Sequence, residues 1–365
     1  MKITNACARV WRVPLIGVWA WAAASSAGIA FAQGDDVPDV DGPPHPLFAA
    51  LRNIAPSVAP AAALQTWNGS FSYNSRTYTF TMVGTNPNTT NVVTTIPVYI
   101  IPLKLTLQRG GQVFDPMSIP ANTGGLTALQ NTVESPLFDS TTTYIQGGVN
   151  VGTTQYEDAY QRASFWGAVH TNTNYHTLLG GPTVLPEVSL QVPTNKGKTG
   201  TPFGETAAEV SINWLDSQIQ SLITQLGIQP NTLPIFMTYK TYLTKGPECC
   251  IGGYHSAVGG QTYSEFTYVD QAGLFSQDVS ALSHEIGEWM TDPLVNNQTA
   301  CGLLEVGDPL EGNSNFGDYS YALHGFQYNL QDLVTLPYFG APPSTSVNNF
   351  FTFQGESLTV CQNGS

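Results

Sequence analysis

The sequence predicts an α+β fold: a mixed β-sheet with helices packed on it. Three observations carry this. Residues 73–83, 95–107 and 233–239 alternate or run apolar in the manner of strands. Residues 205–226 and 276–291 instead place their apolar side chains at helical spacing. Strand and helix segments interleave along the chain, ending on the 276–291 helix, so helices are expected to pack on a shared sheet.

Taken in order, residues 1–32 read as an export signal. Lys2, Arg9 and Arg12 precede an apolar run rich in Ala and Trp. Ala30-Phe31-Ala32 then offers small residues where a signal peptidase reads, with cleavage expected between Ala32 and Gln33. The expected location is therefore secreted or periplasmic. Residues 33–63, rich in Pro, Ala and Asp, read as a disordered linker, too short for a folded inhibitory pro-domain. Residues 64–200 read as a β-rich N-terminal part and 201–365 as the part carrying the site. Within 95–107, Pro97 and Pro102 predict irregularities or an edge position.

Tyr156, Ala159, Tyr160, Ala163 and Trp166 predict a helix over 155–166, and strand character returns at 184–192. In 205–226, Ile212, Leu215, Ile219, Leu222, Ile223 and Leu226 line one face, and Gly227 stands where a C-terminal cap belongs. Residues 233–239 and 264–269 read as strands. Trp166, Trp214 and Trp289 read as core, and His170 and His176 as packed residues.

The formal net charge is −14. Release of residues 1–32, with three cations and no anion, leaves nine Lys+Arg against 26 Asp+Glu, a net −17. A nucleic-acid partner needs a basic patch that so few cations cannot build, and an anionic membrane surface is disfavoured for the same reason. No run after the leader is long and apolar enough to span a bilayer. Four cysteines remain beyond the leader, an even number in an exported chain, which predicts disulfides. Adjacent residues rarely pair, so Cys249 and Cys250 are expected to reach Cys301 and Cys361 in one order or the other. A zinc-binding cysteine set would need a C-x-x-C pair, which is missing. Asn68, Asn88 and Asn297 fit glycosylation acceptors, relevant only in a eukaryotic source.

The chemistry concentrates in His284-Glu285-Ile286-Gly287-Glu288. Ser276 is the expected N-cap of this helix, and Asp292-Pro293 ends it. On a helical wheel at about 100° per residue, Glu288 falls at about 40° and Glu285 at about 100° from His284. Val279, Leu282, Ile286 and Met290 lie on the opposite side, so the polar trio is expected to line a cleft. Residues i and i+4 stand one above the other, so His284 and Glu288 can share one metal ion. Glu285 reaches past them, as a general base toward a water. A third ligand must come from elsewhere. Glu305 lies 17 residues beyond Glu288, a separation that resembles the gluzincin branch of zincin metallopeptidases. That resemblance implies Glu305 as the ligand, with Asp308 accepting a hydrogen bond from His284 and fixing its tautomer, against the plainer reading of a surface carboxylate in an acidic Gly/Asn-rich loop. Asp292 is expected to support the ligands from behind. His324 is a candidate catalytic donor or second imidazole, against the plainer reading of a loop histidine. His255, in a Gly-rich turn, is expected to be structural.

The pattern resembles the H-E-x-x-H of zincin metallopeptidases, with glutamate in place of the second histidine. The downstream Glu305 resembles the gluzincin branch. From His284 through Asp292-Pro293-Leu294-Val295-Asn296 to Glu305 and Asp308, about 30 residues resemble the phosphate-induced, exordium-like secreted proteins and their bacterial relatives. The likeness extends faintly to Gly253-Tyr254-His255 and Tyr328-Asn329. The zincin likeness implies an exported zinc peptidase acting on peptide or protein, with Glu285 activating water and zinc on His284, Glu288 and Glu305. One imidazole with two carboxylates makes a neutral Zn²⁺ site, expected to acidify water less than usual and to admit Mn²⁺ or another oxygen-preferring ion. The exordium likeness implies the alternative, a secreted, non-catalytic binding or signalling protein. Exposed aromatics suggest a third, a protein that binds cell-wall polysaccharide.

Overall fold

The computed structural model describes residues 47–54, 63–335, 338 and 352–355; the expected export signal lies outside them. Strands outnumber helices, in a mixed α/β arrangement. The principal sheet has eight strands: β1 (Ala49–Ile54), β2 (Val98–Leu107), β3 (Val113–Phe114), β4 (Thr183–Val184), β5 (Val188–Val192), β6 (Leu233–Tyr239), β7 (Gly253–Val258) and β8 (Gln261–Tyr268). Their order is β1-β7-β8-β6-β2-β4, with β3 and β5 also paired to β2. β8, β6, β2, β4 and β5 are mutually parallel, whereas β7 forms an antiparallel hairpin with β8 and β1 runs parallel to β7. Strands from both halves of the sequence thus share one sheet.

β2 is central, not an edge. Pro97 separates it from the short strand Val93–Ile96. Pro102 is accommodated because β4 pairs only as far as Ile100 and β5 begins at Leu103. Ile100 O accepts from Leu185 N, so the nitrogen two residues on points to that same unpaired interval, and the missing N–H costs no ladder bond. β1 also departs from expectation, since these residues fall inside the stretch read as linker. Their pairing with β7, Ala49 to Tyr254 and Ala50 to His255, draws them into the sheet.

Among the described residues five α-helices accompany the strands: α1 (Ala128–Val133), α2 (Tyr156–Ser164), α3 (Trp166–Val169), α4 (Ile212–Gln225) and α5 (Ser280–Thr291). Period-two alternation divides the sheet side chains between two cores. Ile101, Phe236, Tyr254 and Tyr263 meet Ile212, Leu215, Ile219 and Leu222 of α4. Ile100, Ile235, Met237 and Phe266 meet Leu282, Ile286, Trp289 and Met290 of α5 on the other face. Full burial contributes about 1.5–3 kcal/mol per such side chain, which is what holds α5 down. α4 is shorter than expected because Ala207–Ser211 is a strand parallel to Thr241–Lys245. α5 starts at Ser280; Ser276 contacts the Tyr242 hydroxyl instead of capping the helix.

Cys249 is disulfide-bonded to Cys250, which corrects the expectation that adjacent cysteines would reach elsewhere. Cys301 is disulfide-bonded as well, and Cys361 lies outside the described residues. Asn297 is buried, its amide donating to the Thr81 and Thr291 carbonyls, so it is not a glycan acceptor. Among the described residues no helix is long and apolar enough to cross a membrane.

Candidate metal centre

All twelve residues of α5 are buried, His284, Glu285 and Glu288 included, so its polar face lines no open cleft. It meets His255 of β7, the loop from Glu305 to Glu311, Gln331 of the hairpin strand Phe326–Gln331, and Phe48.

His284 is held from several directions. Gln331 Nε2 donates to the Phe316 carbonyl, which turns Oε1 toward His284 Nδ1 in close contact. An amide oxygen only accepts, so Nδ1 carries a proton, and Nε2 is the lone pair whenever the ring is neutral. Nε2 lies 3.0 Å from Glu288 Oε1 and 3.4 Å from Asp308 Oδ1, without a hydrogen bond. Lone pairs thus converge, and such a convergence requires a cation or a proton between them. Metal bonds of about 2.0–2.2 Å leave neighbouring ligand atoms about 3.0–3.6 Å apart, which is the spacing here. The tautomer is set by Gln331; Asp308, expected in that role, faces the other nitrogen. Phe48 stacks on the ring, centroids 3.7 Å apart.

His255 is the second imidazole, and it is fully buried. Its Nδ1 lies 3.3 Å from Glu285 Oε2 and 3.5 Å from Glu288 Oε2. Among the described residues, three sets each bring their potential ligand atoms within 4.8 Å of one another: His284, Glu285 and Glu288; His284, Asp308 and Glu311; and His255, Glu288 and Glu305. Glu305, expected beside His284, groups with His255 instead. Glycines make room: a Cβ at Gly253 would meet Glu285 Cγ at 3.1 Å, and one at Gly307 would meet His284 Nδ1 at 2.3 Å.

The electrostatics follow from burial and from the close approach of carboxylates and imidazoles. Burial raises the Glu285 carboxyl to about 7, against the pull of His255 and His284. It raises Asp308 to about 7, with Glu288 adding to the effect. For Glu288, burial pushes upward too, but the neighbouring His284 and His255 imidazoles hold it well below the carboxylate range. Burial would lower both imidazoles, yet the surrounding carboxylates raise His255 to about 10 and His284 well above its usual value. High proton affinity here reflects concentrated carboxylate charge, which favours any cation. Asp292 accepts from the Asn296 and Asn297 amides at 2.9 and 3.0 Å, and burial raises it to about 6.

His324 takes no part. It sits exposed in a two-residue hairpin turn with Gly325, both at positive φ, and its Nε2 is 3.3 Å from Asp139 Oδ2. The plainer reading of a loop histidine applies. His176 and His170 are likewise structural, bonded to Asp158 at 2.6 Å and to the Trp166 carbonyl at 2.8 Å. Sequence reasoning passed over Gln331, Phe48 and Glu311, and read His255 as structural. The available signals were the three-residue spacing of Glu305, Asp308 and Glu311 and the small residues around His255. Compared with known proteins, the chain matches no family model, no curated protein and no solved structure.

Proposed function

We propose that this chain is an exported metal-dependent hydrolase that cleaves peptide bonds, with a zincin-like arrangement around α5. The observation that carries it is the convergence at His284: Nε2 points at oxygens of Glu288 and Asp308 while Gln331 occupies Nδ1. His284 shares one group of potential ligands with Glu285 and Glu288 and another with Asp308 and Glu311, and its surroundings suit a divalent ion, Zn²⁺ or an oxygen-preferring ion such as Mn²⁺. Such an ion supplies Lewis-acid polarisation and a more acidic water.

Glu285 performs the proton transfer. Its Oε2 is 3.3 Å from His255 Nδ1, and its buried Oε1 makes no hydrogen bond, leaving that oxygen open to accept a proton from water. A carboxyl at about 7 is matched to taking that proton and returning it to a leaving amine. Export is supported by residues 1–32 and by the Cys249–Cys250 disulfide, which belongs to an oxidising compartment.

The burial of the ligands favours a second reading, a secreted, non-catalytic binding protein of exordium-like type with a structural ion. For turnover, Phe48 must leave His284 so that substrate can enter. The test is cleavage of a fluorogenic peptide pool by zinc- or manganese-loaded full chain, Phe48→Ala and Glu285→Gln. The hydrolase reading expects Phe48→Ala to be at least as active as the native chain, and Glu285→Gln to keep its metal while losing about 10²–10⁴-fold in rate. Metal-loaded protein that cleaves nothing, Phe48→Ala included, leaves the non-catalytic reading standing.

A further inference from the structure

Glu288 presents its two oxygens to two different imidazoles. Oε1 lies 3.0 Å from His284 Nε2, and Oε2 lies 3.5 Å from His255 Nδ1. The remaining ligands divide the same way: Asp308 and Glu311 gather with His284, while Glu305 gathers with His255 and Glu288. We propose that Glu288 bridges two divalent cations, one held by His284, Asp308 and Glu311 with Oε1, the other by His255 and Glu305 with Oε2. This rests on the metal-dependent reading and changes its nuclearity. It also assigns Glu305 and His255 to an ion of their own.

Two further observations support it. His284 Nε2 is fully buried, makes no hydrogen bond and is aimed at carboxylate oxygens, the condition of a ligand atom. Five carboxylates, Glu285, Glu288, Glu305, Asp308 and Glu311, are buried here together, a concentration of negative charge that favours bound cations. A bridging carboxylate suits ions about 3.5–4 Å apart, the separation of two-metal hydrolytic centres.

The experiment is metal stoichiometry by mass spectrometry, with Mn²⁺ electron paramagnetic resonance, on full-length protein dialysed against Zn²⁺ or Mn²⁺. Two ions per chain and an exchange-coupled Mn²⁺ spectrum are expected. His255→Ala and the near-isosteric Glu305→Gln should each bind one ion and give an uncoupled six-line spectrum; Glu305→Gln carries the test if His255→Ala does not fold. Saturation at one ion, unchanged by Glu305→Gln, overturns the paired centre while leaving the hydrolase reading intact. No bound ion at all overturns both.

Discussion

Gly307→Ala is the sharpest test of where the His284 ring sits. Gly307 has φ −86° and ψ −36°, a conformation open to any residue, so alanine meets no backbone penalty. The whole effect falls on the imidazole. The added methyl would lie 2.3 Å from Nδ1, 2.5 Å from Cε1 and 2.8 Å from Cγ. Non-bonded contact needs about 3.5 Å, so loop and ring must separate by about 1 Å. Gln331 stands against Nδ1 and Phe48 is stacked on the ring, so retreat forfeits one of those contacts. If the loop moves instead, the Gly307 N–H leaves Glu288 Oε1, 3.1 Å away. Overpacking of this kind costs about 1–3 kcal/mol of stability. Displacing a ligand's support lowers metal affinity about 10–100-fold. Chelator competition gives the affinity and calorimetry the stability. Gly312→Ala is the control, because nothing lies within 4 Å of a Cβ there. If Gly307→Ala matched the Gly312→Ala control in both measurements, the placement of His284 against this loop would be wrong.

Gln331→Leu should weaken metal binding about 10–100-fold by removing the Nδ1 acceptor, and Gln331→Glu should restore much of it; isothermal titration distinguishes them. Asp278 is buried and raised from 3.8 to about 7, so the folded chain holds a proton there that the unfolded chain releases near 3.8. Stability from this group therefore falls as pH rises between those values, by at most about 4 kcal/mol, and denaturant titrations of Asp278→Asn should show a flatter profile. A steeper profile in the variant would refute the assignment. The Cys249–Cys250 bridge closes the shortest possible loop, so Cys249→Ser with Cys250→Ser should cost only about 1 kcal/mol, read as a small fall in Tm; a loss several times larger would contradict this.

Much of the fold is local, and that much was readable. α5 and α4 announce themselves through apolar periodicity, and β6 coincides with the expected 233–239 run. What stayed hidden is pairing. Ala207–Ser211 is as compatible with helix as with strand, and only Thr241–Lys245 alongside decides it. β1 carries an ordinary Ala-Ala-Leu-Arg-Asn-Ile segment whose order comes from the open edge of β7, some two hundred residues on. Neither pairing leaves a mark within its own segment.

The site divides along the same line. His284, Glu285 and Glu288 share a face because helical geometry places them there, and Asp308 follows within the next loop. His255 lies 29 residues before the motif, on a strand, and its place is set by register. The Gly259-Gly260 turn pairs His255 with Ser264, and α5 packs across both strands of that hairpin. Alternation turns Gly253, His255 and Ala257 to one side, away from Tyr254 in the opposite core. A side chain at 253 would press on Glu285 and on the β8 backbone, so the residue there has to be glycine. A slip of one residue would turn Tyr254 toward the carboxylates and His255 into the α4 core. The second imidazole is therefore encoded by a turn and a glycine two residues away, and a search for ligand spacing along the chain does not reach it.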